Sequence, residues 1–146
     1  MRFTVPVTDH DGYEFSADPL RIDPAWVHLA LTEHAYWAAG RTREQHDAAM
    51  AGSRNYGVYA PGGAQVGYAR VVTDGVTFGW LADVIVAPEH RGRGVARLLV
   101  CGLLADLEPL HLKRILLRAT DQGRGLYLQH GWAAVDEPDA WMARYT

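Results

Sequence analysis

The sequence contains a single cysteine, Cys101, so no disulfide can form within the chain. A lone cysteine is typical of proteins that work in a reducing compartment, and we predict a cytoplasmic location. The first residues carry charges ahead of any long apolar run, and this pattern argues against both a signal peptide and a membrane span. Cys101 stands among leucines at helical spacing with no evident histidine neighbour, and it is predicted to be a core thiol.

A strong charge imbalance is also missing. The 146 residues carry a formal net charge of −3, which argues against non-specific nucleic-acid binding. The seven histidines are scattered without ligand spacing, so no metal site is predicted. Neither a repeat nor a polar low-complexity tract interrupts the chain, and 49% of its residues are hydrophobic. These features predict one globular domain over residues 1–146.

Apolar periodicity and turn residues predict the order of the secondary structure. The order is one strand, two helices, three strands, a helix, a strand, a helix and two final strands at 132–135 and 141–145. The three central strands are separated by Pro61-Gly62-Gly63 and by Asp74-Gly75, which are strong turn signals. The predicted fold class is therefore α/β or α+β, with helices on the faces of a central sheet.

The most informative segment joins a strand that ends at Pro88 to a predicted helix. Its turn contains two glycines, and the unpaired N–H groups and dipole of a helix start favour an anion. Glycine lets a phosphate approach the backbone, and the neighbouring arginines add positive charge. The pattern predicts a pyrophosphate cradle formed by Arg91, Gly92, Arg93, Gly94, Val95, Ala96 and Arg97.

Two other kinds of phosphate-binding loop do not fit this segment. A Walker loop ends in Gly-Lys-Ser or Gly-Lys-Thr, which the sequence lacks. The dinucleotide fingerprint needs a third glycine at the position where Arg97 stands.

The cradle resembles the acetyl-CoA signature of the GNAT superfamily of N-acetyltransferases, Arg-x-x-Gly-x-Gly/Ala after a strand ending in Val-x-Pro. Arg91, Gly94 and Ala96 occupy its defining positions.

A second stretch, 120–132, is similar to the family's segment Asn-x-x-Ala-x-x-Leu-Tyr-x-x-x-Gly-Phe. Thr120, Gly123 and Trp132 replace the usual Asn, Ala and Phe, whereas Tyr127 stays in register. The resemblance covers most of the chain, and it implies that Thr120 and Gly123 contact the cofactor.

The resemblance implies a mixed, mostly antiparallel sheet flanked by helices, with strands that splay at the acetyl-CoA site. It also implies acetyl transfer from acetyl-CoA to an amine by direct attack in a ternary complex. The backbone of Val84, Ile85 and Val86 would bind the pantetheine arm, with an N–H near Ile85 facing the thioester oxygen. Tyr127 would protonate the departing sulfur as a general acid.

The partner is expected to be a small-molecule or peptide amine, with no nucleic acid and no membrane, and a homodimer is compatible with this interpretation. Tyr36, Trp37, Arg41 and Trp80 are candidates for the acceptor pocket, where Arg41 could hold a carboxylate. The alternative is that the aromatic residues around Trp37 form a plug in the core.

The sequence does not identify the general base. Family members often place a Glu or His on the strand that ends at Pro88, but the matching side here carries Trp80 and Ala82. Asp83 lies on the opposite side by simple alternation, and a β-bulge would bring it into the site. Otherwise Asp83 would be bonded to backbone, and water would take the proton. Because no strong base is evident, a non-catalytic acyl-CoA-binding regulatory domain is the alternative function.

Overall fold

The computed structural model describes residues 7–9 and 11–146. The helices in this part of the chain are α1 (Pro24–His34), α2 (Arg43–Ala51), α3 (Val95–Leu107) and α4 (Arg124–Gln129). The strands are β1 (Val7–Thr8), β2 (Glu14–Ser16), β3 (Arg54–Tyr59), β4 (Gln65–Thr73), β5 (Phe78–Val86) and β6 (Arg114–Leu116). Short 3₁₀ turns lie at Pro19–Arg21, Tyr36–Ala38, Pro88–His90, Glu108–Leu110 and Pro138–Ala140.

The first helices begin where their capping residues allow. The carboxylate of Asp23 accepts the N–H of Trp26 at 3.1 Å, so Asp23 caps α1 and Pro24 takes the first helical position. At the start of α2, the side chains of Thr42 and Gln45 each accept the other's backbone N–H in a capping box. In each case the capping residue stands directly before the first residue of the helix.

All six strands lie in one sheet, side by side in chain order. Neighbouring strands are antiparallel from β1 to β5, whereas β5 and β6 are parallel. A parallel pair needs a crossover connection, which α3 supplies. The predicted mixed, mostly antiparallel sheet with flanking helices is confirmed.

Each face of the sheet packs against different helices. On one face, a core cluster joins the sheet to α3 and includes Phe15, Tyr56, Val71, Leu99 and Leu103. On the other, Tyr68 and Ile85 pack against α1 through Val27 and Leu31. We call these the α3 face and the α1 face. Side chains alternate between the two faces along each strand, so the position of a residue along β5 decides on which face its side chain lies.

The two strands predicted at 132–135 and 141–145 do not form. This stretch is irregular and largely exposed, apart from the 3₁₀ turn at Pro138–Ala140. Glu137 has φ +54°, and Pro138 follows it, so the chain turns in a way that does not continue a strand. β6 is only three residues long and offers a short edge for further pairing. The prediction of two C-terminal strands was therefore wrong.

Candidate active site

The loop before α3 is built from two glycines and an uncapped helix end. Gly92 and Gly94 have φ of +75° and +80°, a region that glycine enters without strain. A methyl group on either glycine would meet no atom within 4 Å, so the space beside the loop is open. α3 begins at Val95, which is buried, and Ala96, which is half-buried, with no described side chain capping the helix. The first N–H groups of α3 can therefore donate to an anion.

The three arginines of the cradle have different contacts. The Nε of Arg91 donates to the carbonyl of Val86 at 3.4 Å, which ties the loop to the end of β5. The Nη2 of Arg97 donates to the side-chain oxygen of Gln129 at 3.4 Å, which links α3 to α4. Arg93 is exposed. All three lie at the positively polarised end of α3 and add charge of the same sign.

β5 and β6 separate beside this loop. Their parallel pairing ends at Trp80 and Leu116, whereas β5 continues to Val86 and stays paired with β4 on its other edge. Along residues 82–86, the edge of β5 that faces β6 has no strand partner within the described part of the chain. The predicted splay is confirmed, and Val84 and Ile85 lie in the segment that it leaves open.

Tyr127 lies on the α3 face, where its ring meets that of Trp132 in a T-shaped contact with centroids 5.6 Å apart. It lines a cavity of about 520 Å³ between β6, α4 and the segment 131–135. Burial raises the pKa of the Tyr127 phenol above its ordinary value. The phenol therefore keeps its proton at neutral pH, as a general acid must.

Thr120 and Gly123 shape the turn that leads into α4. The hydroxyl of Thr120 accepts the N–H of Gly123 at 3.1 Å. A Cβ on Gly123 would lie 3.3 Å from Cε2 of Tyr127 and 3.2 Å from the Thr120 hydroxyl. The turn therefore holds the Tyr127 ring closely, and the alanine usual at position 123 in the family would require this ring to shift.

A β-bulge turns Asp83 toward the α1 face. The register of β4 and β5 shifts here, so that Asp83 and Val84 together lie opposite Ala69. Asp83 has φ +56°, a conformation that only a few non-glycine residue types enter readily. The bulge changes the alternation, and the Asp83 side chain therefore points to the same face as Trp80.

Four hydrogen bonds from three side chains hold the Asp83 carboxylate. Arg41 donates through Nη1 at 2.6 Å and Nη2 at 3.3 Å, Arg70 through Nε at 2.7 Å, and Trp37 through Nε1 at 3.1 Å. Burial alone would raise the pKa of Asp83, but the hydrogen bonds and charges of Arg41 and Arg70 outweigh burial and hold this pKa below its ordinary value. A carboxylate that stays ionised and is this fully bonded is a weak general base. Its partners are side chains rather than the backbone groups that the sequence analysis considered.

The candidate pocket residues lie together on the α1 face. Tyr36 and Trp37 share a 3₁₀ turn, with ring centroids 5.3 Å apart, and are 72% and 42% exposed. They do not form a core plug. Trp80 is 37% exposed on β5, and Arg41 is joined to this strand through Asp83. Trp37 and Arg41 bond to Asp83 directly, Tyr36 contacts the Trp37 ring, and Trp80 lies three residues before Asp83 on the same face of β5.

Cys101 is exposed, so the prediction of a core thiol was wrong. Its side chain faces a cavity of about 560 Å³ between α3 and β6. Sγ lies 3.3 Å from Nε2 of His130, whose Nδ1 donates to the Leu126 carbonyl at 2.8 Å. The packing of α3 against the end of α4 creates this contact, and no local pattern in the sequence could have revealed it.

Two absences concern only the part of the chain that the structure describes, residues 7–9 and 11–146. In that part of the chain, no group of three or more His, Cys, Asp or Glu side chains could hold a metal ion. No helix there has both the length and the apolar character needed to cross a bilayer.

Comparisons with known proteins point to one family. Residues 32–140 match the family model described as acetyltransferase (GNAT) domain. A Gibberella zeae protein provisionally described as an acetyltransferase, FG08082, is 33% identical over an alignment 131 positions long, and the match covers 75% of this chain and 73% of that protein.

Solved structures agree with this match. The crystal structure of a provisionally described acetyltransferase of the GNAT family from Xanthomonas campestris pv. campestris is 33% identical, with a TM-score of 0.85 over 96% of both chains. The Mycobacterium tuberculosis protein Rv2747, solved in complex with CoA, is 17% identical with a TM-score of 0.68 over 84% of this chain and 72% of that chain, and it shares the fold. On the family match and these identities, the chain belongs to the GNAT family of acetyltransferases.

Proposed function

We propose that this protein transfers the acetyl group of acetyl-CoA to an amine by direct attack within a ternary complex. The observation that carries the proposal is the edge of β5 at residues 82–86, which no strand of the described residues pairs with. This edge lies between the glycine loop and Tyr127 on the α3 face and the Asp83 cluster on the α1 face. A donor bound along the edge would be reached by an acceptor from the opposite face, which suits a reaction between two bound substrates.

The donor is proposed to bind through its pyrophosphate at the start of α3. The left-handed glycines Gly92 and Gly94 leave space for it, and the free N–H groups of the first helical turn would donate to its oxygens. Arg91, Arg93 and Arg97 would add positive charge there. The CoA complex of Rv2747 supports CoA as the ligand class for this fold. Thr120 and Gly123 are proposed to contact the donor from the turn before α4.

The chemistry then needs few groups. Acetyl-CoA is consumed as a substrate and supplies an activated thioester. The amine nitrogen forms a bond to the acetyl carbon, the carbon–sulfur bond breaks, and a backbone N–H near Ile85 is proposed to stabilise the oxyanion. Tyr127, protonated because burial raises its pKa, is proposed to give its proton to the departing sulfur. The proton of the amine goes to water, because both oxygens of Asp83 are occupied by Arg41 and Arg70.

The experiment that tests this function is a screen of free amines for thiol release from acetyl-CoA. We expect CoA thiol and acetylated amine to appear in equal amounts with at least one small-molecule or peptide amine. Tight binding of acetyl-CoA without turnover of any amine would instead favour the non-catalytic acyl-CoA-binding domain. A homodimer and a cytoplasmic location stay predictions, which light scattering and cell fractionation would test.

A further inference from the structure

The Asp83 cluster carries more positive than negative charge. Two guanidinium groups, those of Arg41 and Arg70, bind one carboxylate, which leaves one positive charge in excess. The arginine side chains are only 19% and 15% exposed, so water solvates this excess charge poorly. A partly buried cation without a matching anion is costly, and a bound anion would offset that cost.

No described residue supplies the missing anion. Within residues 7–9 and 11–146, the ion pairs of Arg41 and Arg70 are both with Asp83. The other polar partner of Arg70 is the hydroxyl of Ser53, which accepts from Nη1 at 3.2 Å. His46 lies near Arg41 but is uncharged at neutral pH, because burial and the Arg41 charge lower its pKa. Nη2 of Arg70 has no hydrogen-bond partner in the described structure.

The cluster opens onto an exposed aromatic surface. Arg70 lies opposite Ala82, and the next pair on the same face is Val72 and Trp80, about 7 Å farther along the strands. Val72 is 38% exposed and Trp80 is 37% exposed, so the described helices leave this part of the sheet largely uncovered. Trp37, which bonds to Asp83, exposes its ring beside the cluster. The surface therefore combines one excess positive charge with apolar walls.

We infer that the acceptor amine also carries a carboxylate, which binds to Arg41 and Arg70 while its apolar part packs on Trp80 and Trp37. This inference rests on the proposed function and names its substrate class. A single carboxylate matches the single excess charge, and the planar guanidinium presents paired N–H donors that suit two carboxylate oxygens. Asp83 then acts as a positioning residue, because it fixes both arginines on the acceptor side of β5.

Matched acceptors test the inference directly. Each pair has the same amine with and without a carboxylate: 4-(aminomethyl)benzoate against benzylamine, 4-aminobutyrate against butylamine, and phenylalanine against phenethylamine. kcat/KM is compared per concentration of free amine, so that differences in the protonated fraction of the amines do not enter. We expect the carboxylate member to be favoured by about tenfold or more in at least one pair, as for a hydrogen bond to a charged group.

Variants assign the preference to the cluster. In Arg41→Gln the ratio within the favoured pair should fall toward one, and in Arg41→Lys, which keeps the charge but loses the planar fork, the ratio should fall partway. Arg43→Gln is the matched control, since Arg43 is exposed and paired with Asp47 at 2.8 Å, and it should leave the ratio unchanged.

The outcomes separate this inference from the proposed function. If the amine without a carboxylate is turned over at an equal or higher rate in every pair, the inference alone is overturned, whether or not the Arg41 variants fold. An unchanged preference in a folded Arg41→Gln protein also overturns the assignment. No turnover of any amine, with acetyl-CoA bound, overturns the proposed function and the inference with it.

Discussion

The side chains of Arg70 in β4 and Asp83 in β5 meet on the α1 face, with Nε of Arg70 2.7 Å from Oδ2 of Asp83. Simple alternation would place Asp83 on the other face, and the bulge with φ +56° removes this conflict. The ion pair therefore stabilises an unusual backbone conformation at the strand that borders the proposed acetyl transfer site. A local backbone feature and a long-range charge pair depend on each other here.

Asp83→Asn should destabilise the fold. Asparagine accepts the left-handed conformation, so this change isolates the loss of charge from backbone strain. Two partly buried arginines would lose their anion, and we expect a loss of about 3 kcal/mol in the free energy of unfolding. Urea denaturation measures it. Asp47→Asn is the control, because Asp47 is half exposed and its pair with Arg43 should contribute under about 1 kcal/mol.

The difference in the free energy of unfolding between wild type and Asp83→Asn should depend on pH, because the pKa of Asp83 is lowered in the folded protein. A carboxyl group with a lower pKa in the folded state stabilises the fold above its unfolded pKa of about 3.9, and this contribution is lost as the pH falls through the folded pKa. The stability gap between wild type and Asp83→Asn should thus be constant from about pH 6 to 8 and shrink below about pH 4. A gap that widens in acid would contradict the ion-pair account. If Asp83 were instead the general base, the substitution would reduce kcat most at low pH.

Gly94→Glu should block donor binding. The variant would place a side chain and a negative charge where the pyrophosphate is proposed to lie, and acetyl-CoA affinity should fall at least about tenfold by calorimetry. Gly62→Glu is a matched control, because Gly62 also has a positive φ, +99°, and open space around a Cβ. Both variants bear similar backbone strain, about 1–2 kcal/mol. Equal affinities in the two folded variants would show that the loop is not the cradle.

Tyr127→Phe should reduce chemistry without weakening donor binding. Removing the hydroxyl leaves the ring contact with Trp132, so the melting temperature should hold. Because a thiolate is already a fair leaving group, we expect kcat to fall about tenfold, less than the roughly 10²–10⁴-fold that a general acid usually contributes. Tyr145→Phe, at an 88% exposed position, controls for the loss of a phenol. An unchanged kcat, with product release shown not to limit turnover, would remove Tyr127 from the mechanism.

kcat/KM should rise with pH across the neutral range. Free amine is the reactive form, and Asp83 has its oxygens bonded to Arg41 and Arg70 and offers little basic capacity. Because the pKa of Tyr127 is raised, the phenol should stay protonated up to about pH 10, and its deprotonation should not reduce kcat at lower pH. Initial rates from about pH 6 to 9, with one acceptor, check this. A flat profile would point to a base that the described site does not contain, unless the acceptor amine has an unusually low pKa.

The parts of the fold that local signals determine were predictable. The hairpin at Asp74-Gly75, the proline at the start of α1 and the glycine loop before α3 each follow from residues close in the chain. The cradle was predicted for the same reason, since a helix start and its glycines are adjacent in sequence. The two C-terminal strands were predicted wrongly because the left-handed Glu137 and the following Pro138 turn the chain there.

The α1 side of the site was harder to predict because its contacts are distant in sequence. Arg41 and Asp83 lie 42 residues apart, and a bulge that periodicity does not reveal brings them together. The contact of Cys101 with His130 likewise depends on how α3 packs against the end of α4. Tertiary packing decides such pairs, so a prediction from sequence can only be conditional. Asp83, for example, was predicted to enter the site only if a β-bulge formed.

A single-turnover experiment tests the central claim most directly. Enzyme in excess is mixed with acetyl-CoA, first without and then with an accepted amine, and free CoA thiol, acetylated amine and acetylated protein are measured by mass spectrometry over time. Direct transfer predicts no thiol release and no acetyl group on the protein until amine is added, and then equal rates for CoA and acetylated amine. Thiol release without amine, with an acetyl group on Cys101 that Cys101→Ala abolishes, would contradict direct attack. Failure to release thiol with every amine would contradict the acetyltransferase itself.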